Sequence, residues 1–420
     1  MSGTVVSNVF RTSGVIAATA AGINFQSTVT TGTTLSVEAG NGYFIDTTSN
    51  ICTVTLPSSA AAGDQIVLVD YARTWGTNKI VIDSNGLNFQ GQDDTYGVEY
   101  NTSGVTVNIV YSGSSKGWTP ISDDVVTDAP VQPPTQKGIF AFGRDGSGNV
   151  SVSNLINSSG VIAADVSGVG TPRFGLAANT YGGDKAVFAY GDTGSATSLK
   201  NLVNNSGVVA ADVAGVGTAR FELAGASYGG DKVIFAYGNN GSDLNLSNLC
   251  SNTGVISADV TGVGTARDRL KGVKYGSTGQ ALFAFGQTST FVNMKNLVTN
   301  LGVVGTDVTG VGTARYAMGA AKYGTDTAIM AYGQASSGSV SIKNLINNQG
   351  VVAADVTGVG TARQSLAASE YGGDKAAFAY GGSNVSTKNL CSNTGVISAD
   401  VTGVGTGRNL LAAAGYSQSA

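Results

Sequence analysis

Apolar and polar residues along this chain alternate in short runs, and glycine-centred turns interrupt them every few residues. Runs such as Lys185–Tyr190 (KAVFAY) and Val105–Tyr111 have strand length, and no segment of 10–12 residues escapes a turn signal, so the pattern predicts strands and no helices. From residue 138 the pattern repeats. An Ala-Asp-Val or Thr-Asp-Val centre falls at Asp165, Asp212, Asp259, Asp307, Asp355 and Asp400. An arginine follows each by eight residues, at Arg173, Arg220, Arg267, Arg315, Arg363 and Arg408, and a tyrosine eight later again, from Tyr181 to Tyr416. The period of 45 to 48 residues suits one four-stranded propeller blade.

Each copy divides into four expected strands, in the second copy 176–181, Lys185–Tyr190, Ser198–Val203 and Gly207–Val213. Gly-Gly-Asp at 182–184 turns the first into the second. The Asp-to-Arg and Arg-to-Tyr steps never change, whereas the connection between the second and third strands varies in length. Constant spacing marks framework and variable spacing marks tolerant surface loops. The first copy starts at Lys137 without a first strand, and the last ends at Leu410–Tyr416 with a first strand and nothing after it. The orphan strand supplies the missing one, which predicts that residues 409–416 pair beside 138–143 and close a six-blade ring with only short, protected edges. An open array would instead carry atypical polar caps.

The fold expectation is therefore all-β: an N-terminal antiparallel β-sandwich followed by a six-bladed kelch-like β-propeller. Residues 1–121 form the sandwich and its N-terminal arm, with strands expected at Gly42–Asp46, Cys52–Leu56, Gln65–Tyr71, Lys79–Asp83, Val105–Tyr111 and Gly117–Ile121. Residues 122–136, holding three Asp and three of the six prolines, read as a semi-rigid linker, and 137–420 as the propeller. Ser7–Thr19 matches Ser153–Asp165 closely and reads as a stranded half-blade.

Composition narrows the function. There is no histidine, which removes the commonest general base and the Ser-His and Cys-His pairs, so no enzyme is expected. Zinc is disfavoured on the same ground, and Cys52, Cys250 and Cys391 form no CxxC. Cys250 and Cys391 occupy the same place in copies three and six, too far apart to bridge. Net charge is −4 with no basic run, so nucleic acid is not an expected partner. No apolar run approaches the ~20 residues that span a bilayer, and no secretory signal opens the chain. Neither GVGT nor YGGDK carries a Walker ending, and Asp145–Asn149 has too few carboxylates for an EF-type calcium loop. No cofactor or metal is expected.

The recurring Asp and Arg residues read as a structural framework that ties neighbouring blades together, through a buried pair of Asp212 with Arg220 or with the arginine of an adjacent blade, or through Asp-to-backbone bonds. Acids outside the repeat register (Asp145, Glu222, Asp243, Asp268, Glu370) are scattered one per copy and read as solvated charge. Paired carboxylates for glycoside hydrolysis would need two such acids in one cleft. What remains is a variable rim of loops between second and third strands, 143–151, 191–198, 238–244, 286–292, 333–340 and 381–386. Its candidate ligand-binding residues are Arg144, Asp145, Asp192, Asn239, Asn240, Asp243, Gln287, Gln334 and Asn384.

The unit R-x-x-L-A-A-A-x-Y-G-G-D-K-A-x-F-A-Y-G, with S-x-K-N-L later, resembles a kelch-type blade, from which it departs in lacking the blade tryptophan. The six copies are similar to repeats of tail-fibre and other virion proteins of marine tailed bacteriophages, cyanophages included. The run 40–72 (GNGYFIDTTSNICTVTLPSSAAAGDQIVLVDYA), closed by KGWTPI at 116–121, is similar to a module of such fibres. The resemblance implies a virion structural protein that attaches to other virion proteins, or to further copies of itself as a homo-oligomer, through its N-terminal domain. It also implies adhesion to a host cell-surface glycan or protein through the propeller. The rival expectations are a purely architectural capsid or tail decoration and, further off, a glycan-acting enzyme.

Overall fold

The computed structural model describes residues 9–12, 15–18, 22–95, 97–122 and 134–420, all of them strand, turn or irregular chain, with no helix among them. The chain divides into two compact units, Met1–Gln132 and Pro133–Ala420.

In the first unit β1 (Val9–Thr12) and β2 (Val15–Ala18) pair as an antiparallel hairpin; the rest of the Ser7–Thr19 match lies outside the described residues. The chain then runs through β3 (Asn24–Thr30), β4 (Thr34–Ser36), β5 (Asn41–Ile45), β6 (Cys52–Thr55), β7 (Gln65–Asp70) and β8 (Ile80–Asp83). It ends in β9 (Val98–Tyr100), β10 (Thr106–Tyr111) and β11 (Trp118–Ser122). From β3 to β8 it crosses to the other sheet after every strand, giving one sheet ordered β11-β10-β7-β5-β3 and another ordered β4-β6-β8-β9. The expected antiparallel sandwich is corrected here. Because each crossover returns the chain in the same direction, β3–β5, β5–β7, β4–β6 and β6–β8 are parallel, and within these two sheets the antiparallel pairs are those made by β9, β10 and β11. One core lies between the sheets, with Ile45, Val54, Leu68, Ile80, Ile109, Trp75 and Trp118 all buried.

The second unit contains six three-stranded antiparallel sheets of one design. Sheet I joins Ala412–Tyr416 to Lys137–Ala141 and Ser153–Ile156, and sheet II contains Ala177–Tyr181, Lys185–Asp192 and Ala196–Val203. Sheet III contains Ala224–Tyr228, Lys232–Ala236 and Ser247–Cys250; sheet IV contains Lys271–Tyr275, Gln280–Ala284 and Lys295–Val298. Sheet V contains Gly319–Tyr323, Thr327–Ala331 and Lys343–Ile346; sheet VI contains Ala367–Tyr371, Lys375–Ala379 and Lys388–Cys391. The expected pairing of the chain's last strand is present, in the register Lys137↔Tyr416 to Ala141↔Ala412.

The middle strand of each sheet is a continuous apolar run, such as Val233–Tyr237, because it is covered on both faces. Six buried clusters provide that cover, each shared by two consecutive sheets: I with II, II with III, and onward to VI with I. The expected fourth strand is corrected to two isolated bridges per sheet. In sheet II these are Val203↔Val209 and Lys200↔Val213, one residue out of register with each other. The Asn201 side chain sits at that irregularity, donating to the Ala210 carbonyl and to Asp212 in place of ladder bonds.

The linker boundary also moves. Residues 123–133 lie outside the described residues, but Thr135 and Gln136 are part of the second unit: Gln136 N donates to Ser417 O (2.7 Å) and its carbonyl accepts from Gly372 N.

Candidate binding face and central channel

Each repeat arginine is buried and enters its sheet just ahead of the first strand. Arg220 donates from Nε to Tyr237 O (2.8 Å), from Nη1 to Thr218 O (3.0 Å) and from Nη2 to Asn248 Oδ1 (2.8 Å). Its guanidinium lies over Tyr190 of the preceding sheet, 4.3 Å from the ring centroid. The same stacking joins every consecutive pair, ending with Arg408 of sheet I over Tyr380 of sheet VI. Burial lowers the arginine pKa values, to about 10 for Arg173 and Arg315, which leaves them charged at neutral pH.

Of the two ties expected of the aspartates, an arginine pair or bonds to backbone, the second is the closer one, and the aspartate itself is not fully buried. Asp212 approaches Arg173, not Arg220, and only at 3.8 Å, with a quarter of its side chain exposed. Its close partners are Thr171 N (2.8 Å), Thr171 Oγ1 (2.6 Å) and Asn201 Nδ2 (2.9 Å). The arginine's strongest contacts are therefore neutral carbonyls and an amide, and the aspartate pins the turn that delivers the arginine. Glycine is required in that turn: Gly217 has φ +85°, and a Cβ there would lie 2.5 Å from both Asn248 Nδ2 and Asp259 Oδ1.

First strands begin and second strands end at the same edge of every sheet, so the variable loops gather with the residues that follow the arginines. Two positions beyond each arginine stand Gly175, Glu222, Arg269, Ala317, Ser365 and Leu410, all with φ between 51° and 62°. Their backbones form a cycle. Glu222 N donates to Gly175 O, Gly175 N to Leu410 O, Leu410 N to Ser365 O, Ser365 N to Ala317 O, Ala317 N to Arg269 O and Arg269 N to Glu222 O, at 2.5 to 2.9 Å. Outside this cycle stand Phe174, Phe221, Asp268, Tyr316 and Asn409, which pair by backbone with Asp192, Asn239, Gln287, Gln334 and Arg144.

Five of the rim candidates, Arg144, Asp192, Asn239, Gln287 and Gln334, thus occupy one equivalent position. Asp145 accepts from Ser147 N and Gly148 N in a turn, Asp243 accepts from Asn239, and Asn240 is exposed at its loop tip. Asn384 takes a left-handed conformation (φ 61°) in the shortest loop. Aromatic rings lie among them: Phe174 faces Phe221 at 6.3 Å, Phe291 faces Tyr316 at 5.0 Å, and Arg144 and Arg269 lie over Phe174 and Tyr316.

Two acids read as solvated charge meet on this face. Glu222 is buried and accepts from Arg269 Nε at 2.7 Å, and Asp268 shares a hydrogen bond with Glu222. Burial and the neighbouring Glu222 charge push Asp268 up to about 7, against the opposing pull of Arg269. Their sequence signal was position: Asp268 and Glu222 follow framework arginines by one and two residues, where the repeat does not keep a constant residue. Asp145 and Glu370 do not join them. Among the described residues no group of three or more His, Cys, Asp or Glu side chains could hold a metal ion.

Below the cycle a cavity of about 60 Å³ is lined by first strands of all six sheets. Most of its wall is Ala and Gly, with Asn179, Thr180, Lys271, Lys274, Ser369 and Glu370 as polar members. At its far end Lys274 lies 3.7 Å from Glu370, which also accepts from Thr135. Thr135 and Gln136 thus enter the unit at the hairpin edge, opposite the variable loops. No protein-family model matches the chain, and no curated protein matches it.

Proposed function

We propose that the second unit is a closed six-bladed, kelch-like β-propeller acting as a non-enzymatic binding module of a bacteriophage virion appendage, such as a tail fibre. The cyclic order of the buried clusters, the arginine–aromatic stacks and the six-membered backbone cycle support closure. The observation that carries the functional reading is the contrast on the loop face. One backbone design holds Gly, Glu, Arg, Ala, Ser and Leu at one equivalent position, and Phe (twice), Asp, Tyr, Gln and Asn at the position before it. A module selected only for packing would have no use for that diversity, whereas a recognition surface needs it. Gln136 enters this unit at the edge opposite the loops, and the ligand proposed for the loop face is a host-surface glycan or protein. Contacts from Gly-rich loops are individually weak, and copy number on the particle supplies strength. The N-terminal unit serves attachment to other virion proteins or self-association.

Catalysis is not part of this reading. Glu222 and Asp268 are in hydrogen-bond contact, whereas the carboxyls of glycosidases stand about 5 Å or more apart. A purely architectural role has one observation in its favour: every sheet exposes an outer valine after its turn glycine, from Val161 (56%) and Val208 (61%) to Val396 (61%). The deciding experiment replaces loops 143–151 and 333–340 by the shorter 381–386 and measures adsorption to host cells. Folding is expected to survive, since loop length changes stability little, and adsorption to fall at least tenfold. Unchanged adsorption, with loss on altering residues 22–122, would make the propeller a spacer.

A further inference from the structure

Of the first residues of the six first strands, five are Ala177, Ala224, Gly319, Ala367 and Ala412. The sixth is Lys271. It lines both the 60 Å³ cavity and the pocket under the backbone cycle. Among the described residues no hydrogen bond or ion pair reaches its ammonium. The nearest acid, Glu222, is held by Arg269. At the other end Glu370 is shared by Lys274 and Thr135, so the three charged residues of the cavity wall, Lys271, Lys274 and Glu370, leave an excess of one positive charge.

Lys271 is half-buried, and a cation against an Ala and Gly wall is partly stripped of water and gains from a counter-charge or polar partners. The space has room for a few waters or one small anion. We propose that Lys271 makes the channel a binding site for a small monovalent anion, of halide or carboxylate type, held at its ammonium within the Ala and Gly wall. Such a ligand binds only the closed ring, so it stabilises the folded unit in proportion to its occupancy. Burial pushes Lys271 down to about 8, with Glu222 pulling the other way. The site is charged below that pH and loses its hold above it. Glu222, Asp268 and Arg269 on the mouth side and Lys274, Lys322 and Glu370 on the other are the ionisable groups that set this balance.

The test is thermal unfolding of the whole chain in sodium bromide against sodium gluconate at constant ionic strength. At pH 6.5 bromide is expected to raise the midpoint of the second unit by roughly 2–4 °C, and the gain should vanish near pH 10. Lys271→Ala, which installs the residue found in four other sheets, should abolish the gain. An equal bromide effect in Lys271→Ala, or none in the wild type, overturns the site. If Lys271→Ala does not fold, anomalous scattering from bromide-soaked wild-type crystals decides: a peak within contact of Lys271 Nζ supports the site, and its absence overturns it.

Discussion

Asp165 and Thr406 stand 241 residues apart in sequence and are joined by two hydrogen bonds, from Thr406 N (3.0 Å) and Thr406 Oγ1 (2.7 Å) to Asp165 Oδ2. In the other five sheets the same pair spans 39 to 42 residues. The contact is identical in kind, and only the sequence distance marks sheet I as the seam. The seam has one weakness of its own: Asn154 Oδ1 is buried without a partner, where the equivalent asparagines of the other sheets accept from an arginine.

Removing residues 409–420 takes away the first strand of sheet I together with Leu411, Ala412, Ala414 and Tyr416, which belong to the clusters on both sides of that sheet. The second unit is expected to lose its cooperative transition in calorimetry. A truncated chain whose second unit melts as before would mean that the seam contributes no closure.

The arginine and aspartate of one sheet should differ sharply on substitution. Arg220→Ala leaves buried carbonyl and amide acceptors unmet and removes the stack on Tyr190, for an expected loss of about 3–5 kcal/mol in urea unfolding. Asp212→Ala removes only partly exposed hydrogen bonds, and about 1–2 kcal/mol is expected. Equal losses would restore a tight buried ion pair as the main tie.

Stability should fall in acid through the six repeat aspartates. Burial raises their pKa, but hydrogen bonds from threonine and asparagine outweigh it, and the net direction is down for Asp165, Asp212, Asp259, Asp307, Asp355 and Asp400. A carboxyl with a depressed folded pKa contributes fully above its unfolded value of 3.8 and loses that contribution as pH drops through the folded value. Urea midpoints should hold down to about pH 4 and fall below it, less steeply in Thr218→Val. A midpoint unchanged between pH 5 and pH 2 would contradict this.

Asp268 should act in the opposite sense. Its folded pKa is raised to about 7 from 3.8, so the folded chain binds the extra proton between those values and stability declines as pH rises through that window. Asp268→Asn is expected to raise the melting temperature at pH 8 and to flatten the slope between pH 4 and 7. A variant no more stable than wild type at pH 8 would show that Arg269 already neutralises the pair.

Much of the second unit was legible because a sixfold repeat reads the same local chemistry six times. The Gly-Gly-Asp hairpin, the apolar middle strand and the orphan strand at 410–416 each follow from local pattern, and together they imply the pairing of Lys137 with Tyr416. The first unit was legible in its strands but not their directions. Gln65–Asp70 and Asn41–Ile45 alternate as any strand does, and only the crossovers between sheets make them parallel. The partner of Asp212 was left open between Arg220 and the arginine of another blade, and the fold brings Arg173 to it from 39 residues away.

The amino-acid sequence by itself determined the all-β class, the repeat, its variable loops and the absence of histidine chemistry, since these depend on residue type and short-range spacing. Tertiary structure alone decided that Glu222, Asp268 and Arg269 form one cluster and that Lys271 lines the cavity among the first strands. The physical reason is that equivalent positions of different repeats, 45 to 48 residues apart along the chain, become neighbours only when the sheets pack side by side and their first strands meet at one cavity.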